Sequence, residues 1–335
     1  MAEILIRKDR RAGRITFARP QALNALSHEM ALAIDAALRD WAEDDAVALV
    51  IIDAEGDRAF CAGGDIAAVY RAGLAGDHQV GRDFFRDEYR MNARIAEYPK
   101  PIVAFMQGFV MGGGVGVGGH ASHRIVGDST RIAMPETGIG LIPDVGGSWL
   151  LGHAPGHTGE YLGLTAGRIG PGDAIFTGFA DTYLPEAEWP ALIDRLAETG
   201  DPGGIEGQPR PAAPLETTDL QAFAGRTVEE IMAALAAKGD EASLAALRRN
   251  SPLSMAATLA LVRAARNDRS VRDSLAREYR FTWRATAASD FLEGVRAQII
   301  DKDRDPKWSA PSDEAEVKRM LGPLEGAEML WEECE

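Results

Sequence analysis

The first twenty residues carry apolar positions in two short runs, residues 4–6 and 14–17, joined by a turn at Arg11 to Gly13. This pattern predicts a pair of strands. The turn RPQALNALS follows, with Pro20 and Asn24, and after it the period changes. Ser27 is placed to cap a helix, with Glu29 in its first turn. Leu26, Met30, Ile34, Leu38 and Trp41 recur at spacings of three and four, which predicts an amphipathic helix with one buried stripe. The unbroken apolar run 47–52 predicts a strand buried on both faces. Residues 80–98 read as a long helix stopped by Pro99 and Pro101, and residues 102–105 as a second buried strand. Two short strands are expected at 124–126 and 131–133, and from Ser148 the pattern becomes helical.

Residues 201–218, DPGGIEGQPRPAAPLETT, are rich in proline and glycine and read as a linker. Beyond them nearly everything is helical. Thr227 and Glu230 form a capping box, Ser251-Pro252 begins another helix, and residues 271–300 read as two helices broken near Ser289-Asp290. The acidic tail from Ser312 is expected to be a last helix or partly disordered. The class is therefore α/β, with a core over 1–200, a linker over 201–218 and a helical region over 219–335.

Composition narrows the field. The formal charge of -15 argues against a nucleic-acid binder, although local arginines and amides can still hold an anion. Two cysteines, Cys61 and Cys334, fit a reducing setting. The start of the chain lacks the apolar stretch of a signal peptide, and no run is long enough to span a bilayer, so no membrane partner is expected.

Glycine gathers in AFCAGGDI (residues 59–66) and again between Gly108 and Gly147. Such stretches free the backbone for close approach, and amides at a helix start can hold an oxyanion or a phosphate. Residues 114–119 also match G-x-G-x-x-G, but more than 100 residues into the chain and without the acid that a dinucleotide fold requires. The pairs His120/His123 and His153/His157 lack a third ligand nearby, so no metal is expected. Two isolated acids, Glu136 and Asp144, stand in apolar or glycine-rich surroundings, and Glu88 lies among Phe84, Phe85 and Tyr89 on the long helix. Taken alone, Glu88 reads as part of a solvated face, and Glu136 and Asp144 as loop acids that could cap nearby amides.

The motifs RPQALNAL, AFCAGGDI and MGGGVG, in this order, resemble the enoyl-CoA hydratase/isomerase (crotonase) superfamily. FFRDEY, MPETGIGLIPDVGG and DFLEGVRAQIIDKDRDPKW resemble its 3-hydroxyisobutyryl-CoA hydrolase branch, so the likeness runs to about Trp308. It implies a crotonase-like spiral of ββα units with two sheets, followed by helices, and an acyl-CoA substrate. By the same resemblance, the backbone amides of Gly64 and Gly113 form the oxyanion hole. Glu136 is the reactive carboxylate, and Asp144 orients the acyl group or assists proton transfer. Glu88 contacts the hydroxyacyl end, and Ala62, Asp65 and Asn24 belong to the substrate-binding set.

Hydratases of this superfamily place one water between two glutamates. In this chain one of those positions falls on Gly116, which cannot titrate, and Asp144 is added eight positions beyond Glu136 (136 to 144). The resemblance therefore implies hydrolysis of a short-chain hydroxyacyl-CoA, as in valine breakdown, without a cofactor. Glu136 can attack the thioester or activate water. An enoyl-CoA hydratase or isomerase, and a non-catalytic acyl-CoA binder, are the competing readings. Superfamily habit adds a trimer or hexamer, and the alanine- and arginine-rich composition adds a bacterial cytoplasm.

Overall fold

The computed structural model describes residues 2–309 and 314–331; Cys334 and the expected start of the tail at Ser312 lie outside them. Strands β1 (Ile4–Asp9) and β2 (Ala12–Phe17) pair antiparallel, running past the apolar runs because the ladder continues to Asp9 opposite Ala12. Helix α1 (His28–Ala42) starts at Ser27, whose hydroxyl accepts a hydrogen bond from the Met30 N–H. It buries the expected stripe of Met30, Ile34, Leu38 and Trp41. Trp41 lies over Gly13, where a Cβ would come within 2.3 Å of the indole ring.

Three successive strand pairs then follow one rule. β3 (Leu49–Ala54), β5 (Ile102–Met106) and β7 (His123–Val126) enter the larger sheet. Their followers β4 (Ala59–Cys61), β6 (Phe109–Met111) and β8 (Arg131–Ala133) enter the smaller one. Helices α2 (Ala67–Leu74) and α3 (Gln79–Ala96) come after the first pair, α4 (Gly113–Gly118) after the second, and a 3-10 turn (Glu136–Ile139) after the third. Then come α5 (Gly147–His153), α6 (Thr158–Thr165), β9 (Arg168–Ile169), α7 (Pro171–Phe176), β10 (Thr182–Tyr183) and α8 (Trp189–Thr199). The remaining helices are α9 (Val228–Lys238), α10 (Glu241–Arg249), α11 (Pro252–Ala265), α12 (Val271–Ala288), α13 (Phe291–Val295) and α14 (Glu314–Leu321).

The larger sheet has the order β1-β2-β3-β5-β7-β10 and is parallel from β2 onward; the smaller has the order β4-β6-β8-β9. β3 and β5 are buried almost throughout, as parallel strands covered on both faces must be.

Where the composition set a contiguous core, linker and helical region, contacts group the residues into two units that are each discontinuous in sequence. The first holds residues 1–65, 90–133 and 168–217 and contains both sheets. Its core joins Leu49, Ile51, Val103 and Phe105 of the larger sheet to Trp189 and Leu196 of α8. The second holds residues 66–89, 134–167 and 218–335. It is built around α11, which packs on α5, α6, α12 and α14. Its apolar centre includes Leu164, Phe223, Ile231, Leu247 and Leu259. Thr227 caps α9 as expected, while the Glu230 carboxylate reaches one residue further back, to the Arg226 N–H.

In the first unit α4 approaches the end of β4 very closely. A Cβ on Gly114 would lie 2.1 Å from the Cys61 carbonyl oxygen. Gly114→Ala is therefore expected to cost about 1–3 kcal/mol, the usual range for overpacking. Its thermal midpoint should fall by several degrees. Gly170→Ala, where nothing lies within 4 Å of the added carbon, should leave the midpoint in place. Equal midpoints for the two variants in a melting experiment would contradict the close packing.

Candidate active site

In the first unit, β4 and β6 are parallel neighbours, and a glycine loop leaves the end of each. After β4 the loop is clamped by the 23–26 turn. The Leu26 N–H donates to Gly63 O at 2.9 Å, Asp65 N–H to Leu26 O at 2.8 Å, and Ala62 N–H to Leu23 O at 3.0 Å. Gly63 adopts φ +121 and Gly112 φ +45, conformations that side chains resist. These two turns present the amides of Gly64 and Gly113, neither of which has an acceptor among the described residues. Gly113 is the first residue of α4, where helix geometry leaves the N–H unused.

Asn24 organises this loop from inside. Its Oδ1 accepts from the Arg19 N–H, and its Nδ2 donates to the carbonyls of Glu55 and Ala59. Asn24 is 1% exposed, so its side chain serves the loop and not solvent. Asp65 is half-buried and paired with Arg19 at 3.1 Å. Cys61 is buried, with its Sγ 3.5 Å from Gly63 O.

The second unit carries the acids. Glu136 opens the 3-10 turn and is 5% exposed; Asp144 is 4%, Glu88 on α3 is 2% and Glu278 on α12 is 0%. The expectation of a solvated Glu88 fails, because α3 turns that face inward with Phe84, Phe85 and Tyr89. Tyr89 donates its hydroxyl proton to Asp144 Oδ2 at 2.8 Å and lies 3.3 Å from Thr282 Oγ1. Glu278 accepts from the Gly146 N–H at 2.8 Å, from the Ser148 N–H at 2.9 Å and from the Ser148 hydroxyl. Glu136 Oε2 and Glu88 Oε1 have no partner among the described residues.

Burial pushes the Asp144 carboxyl up to about 7, against the pull of the Tyr89 hydrogen bond. Glu278 is pushed up to about 8 by burial, against the Ser148 hydroxyl and the two amides, with the Asp144 charge adding. Glu136 is raised well above the usual range by burial, then by the charges of Asp144, Glu278 and Glu88. Glu88 is raised by burial and then by Asp144. The charges acting on these four groups are chiefly one another's, so they cannot all be ionised at neutral pH. Glu160, equally buried in the same unit, receives the Arg266 guanidinium at 2.7 Å and lies 3.5 Å from Arg263.

The structure thus gathers Glu88, Glu136 and Asp144 in the second unit and places Gly64, Gly113, Ala62, Asp65 and Asn24 in the first. Sequence reasoning missed Tyr89, Ser148, Glu278 and Thr282 as neighbours of the acids. A signal for Glu278 exists: with Leu275, Thr282 and Ala285 it falls on the buried stripe of α12, a place where an unpaired acid is costly.

Raised carboxyls make stability depend on pH. Between the ordinary value near 4 and the raised one, the folded chain binds more protons than the unfolded chain, so stability falls as pH rises. The protein is expected to melt higher at pH 5.5 than at pH 8. Glu88→Gln should narrow that gap by several degrees, since it removes one of the raised groups. Melting curves whose pH dependence is the same with and without Glu88 would count against the cluster.

Comparison with known proteins places this architecture. Residues 12–321 match the enoyl-CoA hydratase/isomerase family model. A relative named probable 3-hydroxyisobutyryl-CoA hydrolase 3, from Arabidopsis thaliana, is 36% identical, covering 92% of this chain and 87% of its own length. The mitochondrial 3-hydroxyisobutyryl-CoA hydrolase of Xenopus laevis is 39% identical over 90% of this chain and 83% of its own. A solved structure described as an enoyl-CoA hydratase from Rhodobacter sphaeroides 2.4.1 matches with TM-score 0.95 and 52% identity, covering 98% of this chain and 100% of that one. Another, described as a carnitinyl-CoA dehydratase from Mycobacterium thermoresistibile, matches with TM-score 0.93 and 38% identity over 99% of both chains. With its strand pairs shared between two sheets and its helices after them, the chain belongs to the enoyl-CoA hydratase/isomerase family and has the crotonase-like spiral fold.

Proposed function

We propose that this chain hydrolyses a short-chain hydroxyacyl-CoA thioester, taking 3-hydroxyisobutyryl-CoA to 3-hydroxyisobutyrate and CoA, a step of valine breakdown. The observation that carries the reading is the buried Glu136, with one unpartnered oxygen, grouped with Asp144 in a chain that has glycine at position 116. The names of the curated relatives support it.

In this reading the amides of Gly64 and Gly113 accept the developing charge on the thioester oxygen, each contributing about 2.7–4 kcal/mol to the barrier reduction. Acting as a base, Glu136 takes a proton from water while the water oxygen bonds to the carbonyl carbon. The tetrahedral adduct collapses, the C–S bond breaks, and the thiolate sulfur takes the proton from Glu136. Acting as a nucleophile, Glu136 bonds to the carbonyl carbon, the C–S bond breaks and the thiolate leaves; water then cleaves the mixed anhydride, freeing the acid and Glu136, and the remaining proton of that water goes to the thiolate. Both routes balance as thioester plus water giving acid plus thiol, with no metal or cofactor required. Asp144 orients the acyl group or relays the proton, and Glu88 binds its hydroxyl end. The proposal extends to a homo-oligomer working in a bacterial cytoplasm; a monomeric mass in light scattering would remove the assembly from it. Among the described residues no helix is long and apolar enough to cross a membrane.

A hydratase reading is kept in view by the 52% identical structure described as an enoyl-CoA hydratase. Two substrates separate the readings. Thiol should appear from 3-hydroxyisobutyryl-CoA, and Glu136→Gln should slow it about 100-fold or more, the scale of general-base catalysis. Loss of enoyl absorbance from crotonyl-CoA without any thiol release would favour hydration instead.

The pH profile gives a second check. Lowering the pH protonates the carboxylate that must act as base or nucleophile, so kcat/KM should fall on the acid side. With Glu136 raised by burial and by the charges of Asp144, Glu278 and Glu88, the half-point belongs above the usual carboxylate value of about 4. A profile flat down to pH 5 would overturn this assignment.

A further inference from the structure

Asp144 is held from two sides by groups that the mechanism above does not use. The first is the loop itself. Val145 and Gly146 take successive left-handed conformations, φ 54 and 77, and the turn closes through the Gly147 N–H to Asp144 O at 2.6 Å. A β-branched residue rarely adopts this conformation, and it persists only where its surroundings over-determine it.

What over-determines it is Glu278, fully buried on α12. Its carboxylate takes the Gly146 N–H, the Ser148 N–H and the Ser148 hydroxyl together. These are the donors at the start of α5, the ones a nearby loop acid would ordinarily capture for itself. With Glu278 on them, the Asp144 side chain turns to the second support. Tyr89, fully buried on α3, gives its hydroxyl proton to Asp144 Oδ2 at 2.8 Å. The Tyr89 ring itself packs between Phe85, tilted against it, and Tyr279, edge-on. The supports therefore come from two helices that are remote from Asp144 along the chain.

We infer that Tyr89 and Glu278 are positioning residues for Asp144. Glu278 occupies the α5 amides and locks the left-handed turn, and Tyr89 aims Oδ2. The inference rests on the proposed thioester hydrolysis. The titratable groups around Asp144 are Glu88 and Tyr89 from α3, Glu136 from the 3-10 turn and Glu278 from α12. Of these, Tyr89 is the one whose hydrogen bond favours the ionised form of Asp144. Its removal must move the Asp144 titration upward.

The test uses the full-length protein and 3-hydroxyisobutyryl-CoA. Tyr89→Phe and Glu278→Gln should each lower kcat about 10- to 100-fold, the scale of a misplaced catalytic group, with KM little changed. In Tyr89→Phe the acidic limb of the kcat profile should also move, because Asp144 and Glu136 titrate as a coupled pair; a purely structural loss would not move it. Wild-type kcat and an unmoved acidic limb in Tyr89→Phe would overturn the inference. Should either variant fail to fold, Ser148→Ala removes a single donor from Glu278; a several-fold fall in kcat at constant KM supports the inference, and unchanged kcat overturns it. Absence of thiol release by the wild-type protein would instead sink the hydrolase reading, so the two failures are distinct.

Discussion

Four buried carboxyls without a cation among them set the terms for the second unit. Taking an acid out of water is expensive, and the usual remedy is an opposite charge close by. The chain supplies that remedy a short distance away in sequence, where Glu160 sits against Arg263 and Arg266. At Glu88, Glu136, Asp144 and Glu278 it supplies neutral donors or nothing. Glu278 has three donors and Asp144 has a phenol, while Glu136 and Glu88 each keep an oxygen unpartnered. The gradation is informative. The best-served acid holds the backbone, and the worst-served ones are those assigned to substrate. Each hydrogen bond that a carboxylate accepts lowers its basicity and occupies a lone pair, so leaving Glu136 poorly served keeps it basic.

The first unit solves a different problem. The groups proposed to act there are amides, which have no side chain to titrate and can be aimed only by bending the main chain. The ββα order puts β4 and β6 side by side and parallel, so the loops leaving them emerge at the same end of one sheet. Gly63 and Gly112 supply the backbone angles, and Gly114 lets α4 approach Cys61 at a distance that no side chain allows. Asn24, expected among substrate contacts, has its side chain fully engaged by Arg19, Glu55 and Ala59. Its contribution to the site passes through the loop that it holds.

Much of this was legible in the sequence wherever one local rule governs. Periodicity found α1, the buried runs found β3 and β5, and the hydroxyl caps at Ser27, Thr227 and Ser251 were each placed correctly. The glycine loops were legible because few physical reasons justify so many glycines in a row. What failed was anything set by long-range contact. Glu88 looked solvated because its helix carries many charges, yet its face is buried. Glu278 acts on residues about 130 positions earlier, a separation that no window of sequence spans. The two units interleave three segments each, so a composition break near residue 201 could not reveal how the chain is partitioned.

The relatives' names divide between hydrolases and hydratases or dehydratases. Holding a water for addition to a carbon–carbon double bond takes two carboxylates, one of which must give a proton while the other takes one. At residue 116 this chain has glycine, buried within α4, so that position can neither give nor take a proton. Attack on a thioester carbonyl asks for less: an oxyanion site and one basic or nucleophilic carboxylate. The proposed hydrolysis needs only that simpler set, and Asp144 is the further acid that Tyr89 and Glu278 aim. Such control would be superfluous for a loop acid that merely capped backbone amides, because the amides of α5 are already taken by Glu278. It is intelligible if the direction of the Asp144 carboxylate governs how the acyl group lies.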